Sequence, residues 1–361
     1  WIDPRVALAV VALLGLYVVN LGGLLGGTAF EAGWFHGVRL VAEPLILLLV
    51  GFAFGGRRTL RWAIGSLCVT AVLVALYGIY QQLVGPVALV GMGYEYESQV
   101  RTIGSRLRSF GTLDEPFAYA AFLLFALCAA LFWLRRSRLA VVVGSAATIG
   151  LVTSQVRSAA IVSLALLGLW LARRRLVALA GFIIASAVVA AATILIVLPG
   201  ATQTQTVQTS ESTYLTVNGR TEAWRVVFTD PGALPLGKGV GIVGTAAERA
   251  KRDAGVGVTE ERNATAVDSG YFAALADVGI AGLVLILLIL GRLAQLAVDA
   301  ARDGKREGWL ALALLVTLSF DAITRSSFTA FPTAYLGFLL VGLALAAAGE
   351  ETTGDTAAKT D

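Results

Sequence analysis

Six side chains carry most of the chemistry this sequence offers: Arg106, Arg108, Arg157, Arg220, Arg225 and Asp268. Arg106 and Arg108 stand two apart in "RLRSFGTLDEP". In extended chain, positions i and i+2 share a face, so both guanidiniums can reach one anion with the forked geometry that suits phosphate. The plainer alternative is contact with lipid phosphate at a membrane interface. Arg157, in "TSQVRSAA", lies between two apolar runs. A cation held so close to hydrocarbon either snorkels or binds a ligand. Arg220 and Arg225 belong to "GRTEAWRVVFTDPGALPLGKGVG", where Arg220, Trp224, Val227 and Phe228 recur at helical spacing behind Asn218, a suitable N-cap. That stripe predicts a short amphipathic helix lying on a bilayer. Asp268 opens "VDSGYFAALADVGIAGL" at the mouth of an apolar run. There it serves as a helix N-cap, and a carboxylate in that place facing cations can also take a proton from a substrate hydroxyl.

Other residues admit structural readings. Asp321 with Arg325, and Arg39 with Glu43, are spaced four apart and pair on one helix face, or else wall an outer cavity. His36, the single histidine, falls in an "AGWFHG" turn and reads as interfacial. Glu95, Glu97, Asp114 and Glu115 lack the spacing of a metal loop. Cys68 and Cys128 sit in apolar runs as small packing residues. Gly232, Gly237 and Lys238 follow most of a phosphate-binding P-loop, but Gly239 replaces its hydroxyl residue and no hydrophobic strand precedes it, which argues against a nucleotide site. Gly279 and Gly282 permit close helix packing.

The elements that must position these groups follow from composition. The chain has 361 residues, 57% hydrophobic and 14% charged, with a mean hydropathy of +0.78. Soluble domains carry about 25% charged residues, so this chain lacks the polar surface to face water all round. An all-α, polytopic transmembrane bundle is expected. Runs of sufficient length and apolarity cover 6–25, 38–54, 63–83, 117–134, 139–153, 158–172, 176–198, 269–291, 309–325 and 331–348. The fifth and sixth are short and separated only by Ser154–Arg157, a tight hairpin or a re-entrant unit with a charged tip. The first run is long enough to span, so no cleavable signal is expected.

This gives 1–198 as seven helices with an outer loop at 84–116, 199–268 as a large outer loop, 269–348 as three helices, and 349–361 as a disordered inner tail. Arg57, Arg58 and Arg61, then Arg135, Arg136 and Arg138, then Arg173, Arg174 and Arg175, and finally Arg292, Arg302, Lys305 and Arg306 all fall on one side, which the positive-inside rule makes cytoplasmic along with both termini. The remaining outer cations include Arg39, Arg101, Arg106, Arg108, Arg157, Arg220, Arg225, Lys238 and Arg325. That surplus points to an anionic ligand at the outer face or to solvated loop charge.

Taken in order, "RSFGTLDEP", "LVTSQVRSAAIVSLALLGLWLARRR", "GRTEAWRVVFTDPGALPLGKGVG" and "VDSGYFAALADVGIAG" resemble the O-antigen ligase and polymerase family of bacterial membrane glycosyltransferases, from about Arg106 to Gly282. The resemblance implies a GT-C-like bundle in the cytoplasmic membrane. It implies transfer of glycan from an undecaprenyl-diphosphate-linked donor to a glycan or lipid acceptor at the outer face. It further implies no cofactor, no metal and no nucleic-acid partner. Arg157 and Arg220 would be the main diphosphate clamp, with Arg225 and Arg106 or Arg108 at its edge. Asp268 stands where ligases usually carry His, and polymerase is expected over ligase; Phe117 also stands where the family commonly has Asn after Pro. A secondary transporter or a noncatalytic envelope-assembly protein is the alternative.

Overall fold

The computed structural model describes residues 2–28, 31–96, 99–103, 106–134, 137–174, 234–253 and 269–350. The described chain is helical apart from one small hairpin. Its helices are α1 (Pro4–Val19), α2 (Leu21–Gly26), α3 (Ala32–Phe54), α4 (Arg57–Gly91), α5 (Pro116–Cys128), α6 (Arg138–Ser154), α7 (Arg157–Arg173), α8 (Gly244–Asp253), α9 (Gly270–Arg302), α10 (Arg306–Thr324) and α11 (Thr333–Gly349). The strands β1 (Arg101–Ile103) and β2 (Arg106–Arg108) pair antiparallel, with Arg101 opposite Arg108. Among the described residues, six helical stretches are long and apolar enough to cross a membrane: Pro4–Gly26, α3, α4, α5 with its π-helical extension to Trp133, α9 and α10; α6 and α11 are shorter apolar helices.

Packing sorts these helices into a centre and a rim. On α11, Ala334, Gly337, Phe338, Leu340, Val341, Leu343, Ala344 and Ala347 are all buried, leaving no polar face. Such a helix belongs inside a bundle. It lies against α3 where Gly51 and Gly342 face each other; a Cβ at Gly342 would run into the Leu48 carbonyl. Small residues of this kind allow the backbone approach on which helix association in lipid depends. The rim helices turn apolar side chains outward: Leu8 is 71% exposed, Leu83 81% and Val142 53%. In a bilayer those faces meet hydrocarbon rather than water.

Several boundaries differ from expectation. Helix α3 begins at Ala32, so His36 lies on a helix and not in a turn. Helix α4 runs on to Gly91 through a kink at Gly85, shortening the expected 84–116 loop. Helix α9 continues to Arg302, so the expected inner loop 292–308 shrinks to three residues before α10. The reason is common to all three: a helix projects past the hydrocarbon wherever neighbouring elements bury its face, and hydropathy registers only the hydrocarbon. The expected span 176–198, the amphipathic helix near 218–228 and the tail beyond 350 lie outside the described residues.

Cations gather at both ends of the bundle. At the first end, Arg57 pairs with Glu307 at 3.9 Å, and Arg306 pairs with Glu307 at 3.3 Å while covering the Trp133 ring at 4.0 Å. Arg173 donates to the Phe132 carbonyl and Lys305 to that of Ala348. Asp3, the N-cap of α1, receives Arg292 at 2.7 Å, which holds its carboxyl below the usual range. Arg57, Arg173, Arg292, Lys305 and Arg306 belong to the clusters read from the sequence, whose Arg135, Arg136 and Arg175 lie outside the described residues.

Candidate functional site

The opposite end is built on the hairpin and the chain after it. Gln81 of α4 donates to the Gly111 carbonyl at 2.8 Å and accepts from the N–H groups of Phe110 and Gly111 at 3.1 and 2.9 Å. Gln82 donates to the Leu107 carbonyl and to Ser109 Oγ, and Ser109 Oγ donates to the Gly78 carbonyl. From the α6–α7 turn, the Thr153 carbonyl accepts from the Ser109 N–H and Gln155 donates to the Leu107 carbonyl. A segment with so many buried polar groups satisfied from two sides has one position.

That frame sets the cations. Arg108 is 3% exposed, donates from Nε to the Ser154 carbonyl at 3.3 Å, and lies over the Phe117 ring at 4.7 Å. Arg325 covers the same ring at 5.0 Å. It donates to the Phe117 carbonyl and to Asp321, each at 3.0 Å, and meets Glu115 at 3.5 Å. Both guanidiniums thus lie against one ring, a favourable contact for each cation. Burial presses the Arg108 guanidinium down to about 10, neighbouring Arg101 adds to the effect, and Arg325 and Arg157 also oppose its charge while Glu115 supports it. It remains a cation at neutral pH. Arg157 is the first residue of α7, whose N-cap supplies no side-chain hydrogen bond. A helix N-terminus is itself positive, so Arg157 adds to the field rather than being stabilised by it. It is exposed, and among the described residues it forms no hydrogen bond or ion pair.

A second frame lies beside the first. The first apolar run breaks at Asn20, which takes a left-handed conformation between α1 and α2, and α9 breaks at Gly279. Between the breaks lies the glycine-rich stretch 234–243. The Val240 N–H donates to Asn20 Oδ1 at 2.8 Å and the Gly241 N–H to Asp277 Oδ1 at 3.2 Å. The Lys238 N–H meets the Ala276 carbonyl, and the Leu234 carbonyl accepts from Ile280. Gly241 has positive φ and lies so near Gly33 that a Cβ would overlap the Gly33 carbonyl. Gly279, expected to serve helix packing, instead receives the Pro235 carbonyl, and the space at Gly282 is filled by Val278 of its own helix.

Of the sequence-derived site residues, Arg108 and Arg157 come together and Arg106 stays exposed on the same strand as buried Arg108. The shared face expected of Arg106 and Arg108 therefore separates into one buried and one open guanidinium, because the chain turns inward at Leu107. Arg220, Arg225 and Asp268 lie outside the described residues. The Arg39–Glu43 and Asp321–Arg325 pairs form as expected, at 2.7 and 3.0 Å. Both cysteines are free and buried. The reading missed Gln81, Gln82 and Asn20; the signal was present, since a polar side chain inside an apolar run must find a partner.

The apolar helices define a multi-pass helical membrane protein, with Arg108 and Arg325 meeting over Phe117 at one of its ends. Residues 142–287 match the family described as O-antigen ligase, Wzy_C. The match runs from within α6 to within α9 and includes Arg157, the glycine-rich stretch and Gly279. Arg101, Arg106, Arg108 and Arg325 lie outside it. No curated protein matches the chain.

Proposed function

We propose that this protein is a bacterial glycosyltransferase that polymerises undecaprenyl-diphosphate-linked repeat units at the outer face of the cytoplasmic membrane, with both termini inside. The observation that carries the reading is the convergence of Arg101, Arg108, Arg157 and Arg325 at one end of a bundle whose residues 142–287 match the O-antigen ligase family. Fixed cations aimed at a leaving diphosphate stabilise the charge that develops as the glycosidic bond breaks. In the inverting step, the acceptor hydroxyl oxygen bonds to the anomeric carbon, the bond from that carbon to the diphosphate oxygen breaks, and the hydroxyl proton passes to Asp268. Arg157 and Arg220 form the main clamp, with Arg225, Arg106 and Arg108 around it, and no metal takes part. Support for Asp268 comes from its neighbours: Ser269 donates to the Ala322 carbonyl and the Gly270 N–H to that of Arg325, tying the start of α9 to the arginine cluster.

Broken helices are also a feature of transporters, where they line a midplane ion site. Here the groups at the breaks are taken by the chain itself, through Val240, Gly241 and Leu234. The deciding experiment incubates purified protein with undecaprenyl-diphosphate-linked repeat units and follows chain extension. Wild type extends them, and Arg157→Ala, Arg220→Ala and Asp268→Ala do not. Undiminished extension by Arg220→Ala removes it from the clamp, and undiminished extension by Asp268→Ala reduces that residue to a helix cap.

A further inference from the structure

Asp277 lies inside α9, two residues before the break at Gly279, and is 9% exposed. A carboxyl at that depth in an apolar helix needs partners of its own. Its Oδ1 accepts from the Gly241 N–H at 3.2 Å, and the buried Tyr17 hydroxyl meets the same carboxyl. Tyr17 stands on α1 three residues before Asn20, whose Oδ1 accepts from the Val240 N–H at 2.8 Å. Two successive backbone donors of the glycine-rich stretch are therefore held by side chains at two helix breaks. Backbone bonds close the same joint: the Lys238 N–H donates to the Ala276 carbonyl at 2.6 Å and the Ile280 N–H to that of Leu234 at 3.0 Å. On its other side the half-helix 270–278 is loosely packed. A cavity of about 50 Å³ lies among Gly270, Ala273, Ala274 and Asp277 of α9, Tyr17 of α1 and Val41 of α3. Small side chains beside a void leave a helix room to shift, so directional bonds to the stretch set its place.

We infer that Asp277 is a positioning residue for the transfer, fastening the half-helix that leads back to Asp268 onto the stretch that follows Arg220 and Arg225. The inference rests on the glycosyltransferase reading above and adds which side chain fixes the base relative to the clamp. Asp268 is two residues before Gly270, and Arg220 and Arg225 are fourteen and nine residues before Leu234. The half-helix is pinned at its start, where the Gly270 N–H donates to the Arg325 carbonyl at 2.9 Å and Ser269 Oγ to that of Ala322. A helix pinned at one end can still pivot. The joint at Asp277 is the second point, and two points fix its direction. The work asked of Asp277 is to accept a backbone hydrogen bond, which an amide oxygen can also do and a hydrocarbon side chain cannot.

The test follows extension of undecaprenyl-diphosphate-linked repeat units by the full chain in lipid nanodiscs. Asp277→Leu removes the acceptor; it lowers kcat about tenfold or more while donor KM moves less than about threefold, since a misplacement of about 1 Å costs up to about 100-fold. Asp277→Asn keeps an oxygen for the Gly241 N–H and holds kcat within about twofold of wild type. Gly342→Ala strains the α3–α11 contact, away from the stretch, and controls for lost stability: it melts earlier with kcat unchanged. Wild-type kcat in Asp277→Leu overturns the proposal. So does an equal loss in Gly342→Ala, or an Asp277→Asn as slow as Asp277→Leu, which would give the carboxylate itself a chemical part. Should Asp277→Leu not fold, Tyr17→Phe takes one hydroxyl from the joint and lowers kcat about threefold with KM unmoved, and an unchanged kcat overturns the proposal. If wild type extends no donor, the glycosyltransferase reading fails and hydrogen exchange decides the joint by itself. Exchange at 238–243 and 270–278 then quickens in Asp277→Leu or Tyr17→Phe and not in Asp277→Asn; unchanged exchange in the first two overturns it.

Discussion

The cations at the two ends of the bundle differ in how far the fold itself occupies them. At the Arg57–Arg306 end, cations are tied to Glu307, to Asp3, to helix-terminal carbonyls or to Trp133. Two of those contacts, from Arg173 to the Phe132 carbonyl and from Lys305 to that of Ala348, satisfy carbonyls near helix C-ends, as cations are suited to do. At the other end, Arg157 opens α7 just as Arg57 and Arg306 open α4 and α10, but it forms no hydrogen bond or ion pair among the described residues, and Arg108 is buried with a carbonyl partner among cations that oppose its charge. A positive residue count therefore says little about function. The informative quantity is how much of each cation's bonding capacity the fold itself consumes.

The sharpest test of this contrast removes one arginine from each end. Arg157→Ala is expected to lower the rate of glycan extension by about 100-fold or more, the effect of deleting one fixed charge-stabilising donor. Arg306→Ala should alter extension less than about twofold while lowering stability by about 0.5–1 kcal/mol through the lost ring contact. Comparable activity losses in the two variants would erase the distinction. Next in size is the frame beside the cluster. Gly241→Ala puts a Cβ where the Gly33 carbonyl lies, at a positive φ, and is expected to destabilise the protein by about 1–3 kcal/mol or more in a detergent-melting assay. A full-length variant melting with wild type would contradict that close approach.

Asn20→Ala loses one accepted bond from Gly23 and one from Val240. A cost of about 1–2 kcal/mol is expected. Hydrogen exchange should then quicken at residues 238–243 and stay unchanged at the Arg57–Arg306 end. The smallest effect concerns pH. Asp3 has its carboxyl lowered by Arg292, so its contribution is fully present above the ordinary carboxylate value and is lost as pH falls through the lowered one. Acid should loosen α1 from α9 there, and Asp3→Asn should abolish that acid step in melting curves while leaving the arginine cluster's anion affinity as it was.

Much of the fold was legible because a bilayer imposes a one-dimensional rule. Long apolar runs became helices wherever the structure describes them, and Arg57, Lys305 and Arg306 of the basic clusters lie near one another. Pairs four apart, such as Arg39–Glu43 and Asp321–Arg325, follow from helix geometry alone. The ends of α4 and α9 were not legible, since they depend on neighbours that bury the extra turns. Nor was the inward turn that separates Arg108 from Arg106, because it is made by Gln81, Gln82 and Thr153 on other helices.

The sequence by itself determined that this is a helical membrane protein with more cations than one face requires, and its motif order pointed to the O-antigen ligase family that residues 142–287 match. These are properties of composition and local order, which the solvent reads directly. Tertiary structure alone decided which arginines meet. Arg101, Arg108, Arg157 and Arg325 come from a hairpin, a helix start and a helix end far apart in the chain, and Arg108 and Arg325 share the Phe117 ring. Their convergence depends on packing and on hydrogen bonds between distant segments, and no local pattern encodes either.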